Sequence, residues 1–302
     1  MIKDKGNAKI LCQALLIFLM LSLAFGNSGL TSLKIVPGAR EAAMASTGVA
    51  SAQGPQAVYF NPALISSYHN FLLNLYYAKW FFDMSHQAIF VMRPTKVFNI
   101  GVGVVNFSYG QIENRGDNPT DEPLGYFNPQ DYSFFLTLSR ALDNRTAIGA
   151  SGKFYFQKIL DKTVTSGGAD IGLKFLVFPE MTLGVAIINF GPTLRYSQEK
   201  FWLPTEAKIG IGYDLPFGNQ QLSGAMDLAY FPYDKKISAG VGTEFAFNNS
   251  LFFRFGIRPF SETNKITTGL GFKLNNFRVE YSFVPYTYNL GTTHRFAIGI
   301  GY

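Results

Sequence analysis

From residue 70 to the last residue, apolar and small or polar side chains alternate with a period of two. In 237–245, Ile237, Ala239, Val241, Thr243 and Phe245 interleave with Ser238, Gly240, Gly242 and Glu244. In 251–258, Leu251, Phe253, Phe255 and Ile257 interleave with Phe252, Arg254, Gly256 and Arg258. In 277–283, Phe277, Val279, Tyr281 and Phe283 interleave with Arg278, Glu280 and Ser282. Successive side chains of a strand point to opposite faces, so each stretch has one apolar or aromatic face and one face of Gly, Ser or charge. Charged residues make up only 15% of the chain against 16% aromatic, with 30 glycines, so the apolar faces are too many for a water-exposed surface. A strand barrel facing lipid accommodates them. After the N-terminal leader no stretch reaches 18 consecutive apolar residues, which excludes a helical span.

The alternating segments lie near 71–80, 85–92, 97–109, 131–140, 146–157, 169–178, 182–190, 205–213, 221–230, 236–245, 251–257, 265–273, 277–283 and 294–302. That is about fourteen strands, and the even number suits a single-chain antiparallel barrel. Every second connection is tight: 93–96, 141–145, 179–181, 214–220, 246–250 and 274–276. Those between are longer (110–130, 158–168, 191–204, 231–235, 258–264 and 284–293), apart from a short first hairpin at 81–84. Tight turns on one side and long loops on the other match the periplasmic and extracellular ends of outer-membrane barrels, and an even count puts both termini on the periplasmic side. In the last strand Phe296, Ile298, Ile300 and Tyr302 form one apolar face and Gly299 and Gly301 the other. A closing strand of this kind resembles the signal read by barrel-assembly machinery, which makes that machinery and outer-membrane lipid expected partners. The expected fold is therefore an all-β transmembrane barrel occupying 70–302.

The N-terminus carries Lys3, Lys5 and Lys9 before an apolar run at 10–25, and Ala24-Phe25-Gly26 places small residues at a cleavage site. Residues 1–26 thus read as a secretory signal peptide that is removed. Its loss takes away three Lys and Asp4, lowering the net charge from +6 to +4. That mild balance, without a basic block, does not suggest nucleic acid. Cys12, within the leader, is the chain's single cysteine, so the mature chain has no thiol or disulfide chemistry.

Residues 37–66, PGAREAAMASTGVASAQGPQAVYFNPALIS, break the β pattern. The run 39–46 consists of good helix formers with Arg40 and Glu41 as its only charges, enough for about two turns. Asn61-Pro62-Ala63 is a helix-start signal, because Asn accepts from free backbone N–H groups and Pro at the first position loses no needed donor. Pro55 can open the preceding turn in the same way. We expect 27–69 to form a short helical plug inside the barrel.

With these pieces assembled, the chain resembles the PorV/PorQ family, which belongs with the FadL-like outer-membrane barrels. The likeness rests on Pro37-Gly38-Ala39-Arg40, Ala43-Met44, Gly48-Val49-Ala50, Asn61-Pro62-Ala63 and the closing Thr293-His294-Arg295-Phe296. It implies a fourteen-stranded barrel whose N-terminal segment plugs the lumen. It also implies one of two roles: binding or passage of hydrophobic molecules, as in FadL-like transporters, or non-transporting partnership with a type IX protein secretion system, as in PorV-type relatives. The chain departs from the family at Gln53-Gly54, where acidic residues are common, and at Met44-Ala45-Ser46, where Met-Gly-Gly is common.

No catalytic constellation appears. His69, His86 and His294 are scattered without metal spacing, no G-x-S-x-G elbow occurs, and Gly101-Val102-Gly103 and Ile209-Gly210-Ile211-Gly212 alternate inside strands rather than opening a helix. No enzyme, metal or cofactor is expected. The predicted lumen side carries Lys153, Asp170, Lys174, Lys208, Asp227, Glu244, Arg254, Arg258, Arg278 and Glu280, charges of both signs that can clamp a plug. Gly240, Gly242, Gly256, Gly269 and Gly271 leave room for it. Arg40 and Glu41 are the expected partners on the plug, with Asn61 and Pro62 fixing its turn. Tyr126 and Phe127, with Phe201 and Trp202, are the candidate rim for a hydrophobic small molecule or a secretion-system protein.

Overall fold

The computed structural model describes residues 28–116, 121–196 and 199–302, so the leader and its cleavage site lie outside the described residues. The strands in chain order are β1 (Leu72–Lys79), β2 (Ser85–Pro94), β3 (Asn99–Ser108), β4 (Ile112–Asn114), β5 (Gly125–Phe127), β6 (Gln130–Ala141), β7 (Thr146–Ile159), β8 (Lys162–Phe178) and β9 (Met181–Phe190). They continue with β10 (Leu194–Tyr196), β11 (Glu199–Phe201), β12 (Glu206–Phe217), β13 (Gln220–Phe231), β14 (Lys236–Phe247), β15 (Leu251–Ile257), β16 (Ile266–Leu274), β17 (Phe277–Tyr286) and β18 (Gly291–Ile300). Fourteen of them form a closed antiparallel barrel, every neighbour pair following chain order. β18 closes on β1 in the register Leu73↔Ile300 to Lys79↔His294, leaving no free edge. The short pairs β4–β5 and β10–β11 are hairpins within two long connections.

The period-two pattern sorts side chains between the faces. On β1, Leu75 and Tyr77 point outward and exposed, while Asn74, Tyr76 and Ala78 point inward and buried. The same sorting puts Phe253, Phe255, Leu270, Phe296 and Ile298 on an outward apolar band. No helix among the described residues is long and apolar enough to cross a membrane.

One predicted boundary shifts substantially. Residues 158–168, expected as a loop, continue the β7–β8 ladder up to Ile159↔Lys162. Thr163, Val164 and Thr165 favour extended backbone, and the chain reverses over Leu160 and Asp161 with Leu160 at φ 53°. The long-loop end therefore has short hairpins at 160–161, 232–235 and 287–290 as well as at 81–84, the second and third falling within the long-loop segments expected at 231–235 and 284–293.

Residues 28–69 fill the lumen. A 3₁₀ turn at Thr31–Lys34 is followed by α1 (Ala39–Ala43), then by 3₁₀ turns at Pro55–Tyr59 and Pro62–Ser67. The helix stops short of the expected residue 46 because Ala45 and Ser46 turn into the left-handed region, at φ 60° and 63°. The wall holds that turn: Thr267 Oγ1 accepts from Ala45 N at 3.0 Å and donates to Ala43 O at 2.7 Å. Such backbone costs about 1–3 kcal/mol per residue, so a surrounding structure must enforce it.

The chain ends require two corrections. The barrel strands do begin and end on the tight-turn side, yet Ser28 lies at the long-loop end, bonded to Asp234 between β13 and β14. The segment before β1 thus runs the height of the lumen, and the described chain starts and finishes at opposite ends. Tyr302 does not share the outward face of Phe296 and Ile298. Gly301, at φ 93°, turns the backbone after β18, and the Tyr302 ring packs inward on the buried cluster containing Val58, Phe60 and Leu72.

Candidate functional site

The plug lies directly on the glycines of the inner wall. A Cβ at Gly149 would sit 2.4 Å from Pro62 C, at Gly172 2.0 Å from Asn61 Oδ1, and at Gly184 2.1 Å from Val49 O. On the opposite wall, a Cβ would come within 2.6 Å of Ala45 O at Gly240, 2.6 Å of Met44 Cβ at Gly242, 2.3 Å of Ala45 N at Gly256 and 2.5 Å of Ala43 Cβ at Gly269. Gly271 instead makes room for the Arg254 guanidinium, 2.7 Å away. These strands read as poor formers by propensity because their inner faces accommodate another backbone.

In the tight-turn half, α1 presents Arg40 to β14, beside charges from β15 and β17. Arg40 grips Glu244 of β14 with two bonds, Nε to Oε2 at 3.1 Å and Nη2 to Oε1 at 3.0 Å, and donates from Nη1 to Ser51 O at 2.9 Å. Arg254 of β15 reaches Glu244 at 2.5 Å and Glu280 at 3.1 Å, while Arg278 of β17 meets Glu280 at 2.9 Å and Glu244 at 3.7 Å. Glu41 lies 3.7 Å from Arg40 and accepts from Gln53 N at 3.2 Å, but its Oε2 has no hydrogen-bond partner. All six groups are buried, three cations against three carboxyls. Unpaired, each would cost several kcal/mol, roughly 3–5 on breaking a buried pair.

Further anchors use single wall side chains. Asp227 Oδ2 accepts from Gly48 N and Val49 N at 2.7 and 2.9 Å. Asn61 Oδ1 caps Ala63 N at 3.0 Å, and its Nδ2 donates to Val49 O at 2.8 Å and Leu173 O at 2.9 Å, so this one residue caps, ties the plug to itself and ties it to β8. Pro62 occupies the first helical position after it. Lys153 pairs with Asp170 at 2.6 Å and donates to Asn189 Oδ1 at 2.8 Å, and Lys208 pairs with Glu206 at 2.7 Å. Lys174 stands apart, donating to Ser67 Oγ at 2.5 Å near the tight turns, and Arg258, just after β15, joins none of these pairs. The predicted lumen charges therefore divide into a six-member cluster containing Glu244, Arg254, Arg278 and Glu280, a Lys153–Asp170 pair, a Lys208–Glu206 pair and separate positions for Asp227, Lys174 and Arg258.

At the long-loop end the first described residues cap the lumen. Leu30 and Leu33 pack with Tyr155, Leu194 and Leu203. Ser32 Oγ donates to Asp131 Oδ2 at 2.5 Å, and Asp131 also accepts from Tyr109 OH at 2.7 Å and Gln157 Nε2 at 2.6 Å. Lys34 Nζ meets Asp234 at 2.8 Å, and Ser28 Oγ donates to the same carboxyl. Partial burial alone would raise the Asp234 pKa, but the hydrogen bonds from Lys34 and Ser28 outweigh it and hold the group below the ordinary carboxylate range. The two halves of the predicted rim have separate partners. Trp202 stacks on Tyr233, centroids 4.5 Å apart, and Phe201 packs edge-on against Tyr196 and beside Gly29, so this pair covers the cap. Tyr126 is exposed, while Phe127 lines an outer cavity of about 540 Å³ with Tyr132, Phe156 and Leu160. Another cavity, about 450 Å³, lies beside the cap between Ile159, Val164, Arg195 and Tyr196. Below the plug a third, about 490 Å³, is lined by Gln53, Tyr68, Glu244, Arg278 and Tyr302. The plug separates these last two spaces.

Sequence reasoning missed Asp131, Asn189, Glu206 and Asp234. Asp131 and Glu206 carry the inward parity of Ser133 and Lys208 at the ends of the segments 131–140 and 205–213, a signal that could have found them, whereas Asp234 lies in a loop with no period. Asn189 sits at a bulge, signalled by its φ of 56° and by the register break between Ala169↔Phe190 and Ile171↔Ile187. Among the described residues no group of three or more His, Cys, Asp or Glu is placed to hold a metal.

No protein-family model and no curated protein matches the sequence. Solved structures do match. The Pseudomonas putida toluene transporter TodX superposes with a TM-score of 0.61 at 12% identity, covering 92% of this chain and 98% of that one. CymD, a monoaromatic hydrocarbon channel, gives 0.61 at 12% identity over 87% of this chain and 96% of its own. A Pseudomonas aeruginosa FadL homologue gives 0.55 at 11% identity, covering 87% and 97%. At these identities the likeness establishes the fold alone: this chain shares the closed barrel architecture of these three proteins.

Proposed function

We propose that the protein is an outer-membrane barrel that binds hydrophobic molecules and passes them across the membrane, with the tight turns on the periplasmic side and the long loops outside. The observation that carries this reading is a lumen closed by a segment whose bonds to the wall are separate from the ladder that closes the barrel. The plug can therefore shift while the strands remain paired. A ligand taken up at the aromatic long-loop end would move toward the cavity above the tight turns as the plug yields. The likeness to TodX, CymD and a FadL homologue supports transport over a secretion partnership of the PorV/PorQ type. The test is native mass spectrometry of the protein purified from outer membranes in mild detergent, paired with toluene and decane flux into proteoliposomes. Retained lipid-like ligand and flux above empty liposomes are the expected result. A stoichiometric large protein partner with no flux would overturn the reading in favour of secretion.

A further inference from the structure

After the charge pairs of the lumen are assigned, two neighbouring cations among the described residues are left without a carboxylate, the half-buried Arg258 and the fully buried Arg295. Arg295 of β18 is 4% exposed and points into the lumen in the long-loop half, and no carboxylate lies within 4 Å of it among the described residues. Its bonds are two long ones, Nε to Thr293 Oγ1 at 3.4 Å and Nη2 to Tyr286 OH at 3.5 Å, and the Tyr76 hydroxyl lies close enough to interact with the same guanidinium. Its flat face lies over Trp80, 5.3 Å from the ring centroid. A guanidinium has five donors and a fixed charge, and burying it without an anion is costly.

Three neighbouring groups share this deficit. Tyr76 OH, Trp80 Nε1 and His86 Nδ1 are buried with no hydrogen-bond partner. They line an aromatic wall: Tyr76 meets His86 edge-on at 5.4 Å, His86 meets Phe107 at 5.6 Å, and Trp80 meets Tyr286 at 5.6 Å. We propose that Arg295, with Tyr76 and Trp80, forms a site for the carboxylate of an aromatic acid. The guanidinium receives the carboxylate, Tyr76 O–H and Trp80 N–H donate to its oxygens, and the ring of the ligand packs among the surrounding aromatic edges. A long alkyl chain matches these edge-to-face walls less well than a flat ring. The 81–84 hairpin adjoins the site: Phe81 packs on Trp80, and Phe82 and Asp83 both stand at φ 55°, a strained setting for Phe.

The inference deepens the transport reading by naming a ligand class, and its test separates the two. The protein in detergent at neutral pH is titrated by calorimetry with benzoate, benzyl alcohol and decanoate, alongside toluene flux in proteoliposomes. Benzoate is expected to bind about tenfold or more tighter than benzyl alcohol, the difference being charge-assisted bonding to Arg295. Arg295→Met should abolish that preference and Arg295→Lys should keep part of it, both variants migrating as folded barrels on unheated gels. Equal affinity for benzoate and benzyl alcohol in the unmodified protein overturns the proposal, as does tighter binding of decanoate than benzoate. Toluene flux without benzoate preference would remove this site and leave transport standing; benzoate preference without flux would do the reverse.

Discussion

The fastening of α1 to the wall can be tested by a double-mutant cycle on Arg40 and Glu244. Arg40 gives Glu244 two bonds, at 3.1 and 3.0 Å, in a fully buried setting. Breaking a buried pair costs about 3–5 kcal/mol. In Arg40→Met the Glu244 carboxylate keeps Arg254 at 2.5 Å, so the loss belongs at the lower end, about 3 kcal/mol. In Glu244→Gln, Arg40, Arg254 and Arg278 share only Glu41 and Glu280, so the loss belongs at the upper end, about 5 kcal/mol. The double variant restores charge balance, so its cost should fall short of the sum by about 2–3 kcal/mol. The assay is hydrogen exchange of the 39–53 amides in detergent, read by mass spectrometry. Arg40→Met should raise their opening population roughly a hundredfold while β14–β17 amides keep their protection. Additive costs, unchanged plug exchange, or equal loss of protection in plug and strands would refute the reasoning.

Three other outcomes follow from the same contacts. Gly184→Ala, whose Cβ would come 2.1 Å from Val49 O, should displace the plug and raise conductance in planar bilayers, whereas Gly152→Ala, with nothing within 4 Å, should not; equal conductance in the two variants would count against a glycine-seated plug. Asn61→Asp keeps the cap on Ala63 but loses the donors to Val49 O and Leu173 O, and should destabilise the plug by about 2 kcal/mol, seen as faster proteolysis of 45–60 with an intact barrel band. The pKa of Asp234 is held below the ordinary carboxylate range, so its contribution to the cap is fully present above about pH 4 and disappears as pH falls through its folded value. Exchange at residues 28–34 should therefore stay constant from neutral pH down to about 4 and accelerate below it; Asp234→Asn should remove the step.

Much of this architecture was legible because a strand that separates lipid from lumen writes its two faces into alternate residues. Fourteen strands, the tight turns and the inward charges Glu244, Arg254, Arg278 and Glu280 all follow from that one constraint. Asn61-Pro62 was legible because capping is local chemistry. Three things were not. The ladder at 158–168 carries both Gly and Thr, so its pattern resembles a loop until Lys158 pairs with Thr163. Tyr302 satisfies the outward parity of Phe296 and Ile298, and only the positive φ of Gly301 reveals that it turns inward. The cap contacts of Ser28, Ser32 and Lys34 join residues about 100 to 206 positions apart, and no local signal specifies such a pairing.

The strengths of the two fastenings imply an order of movement. At the long-loop end the cap is held by a partly exposed Lys34–Asp234 pair, Ser32–Asp131 and a small aliphatic cluster. A single half-buried pair of that kind contributes on the order of 1 kcal/mol, less than the roughly 3–5 kcal/mol at stake in breaking a fully buried pair. In the tight-turn half the plug is held by six buried charges and by glycines that admit no sliding without collision. A molecule arriving from the long-loop end therefore meets the weak fastening first and can displace residues 28–34 while α1 stays in place. Moving α1 separates charges that need solvation once unpaired, and the cavity lined by Glu244 and Arg278 lies next to the cluster on the tight-turn side. Cap release and plug release are thus separate steps with separate chemistry, and loosening Asp234 should increase access to the lumen without increasing conductance through it.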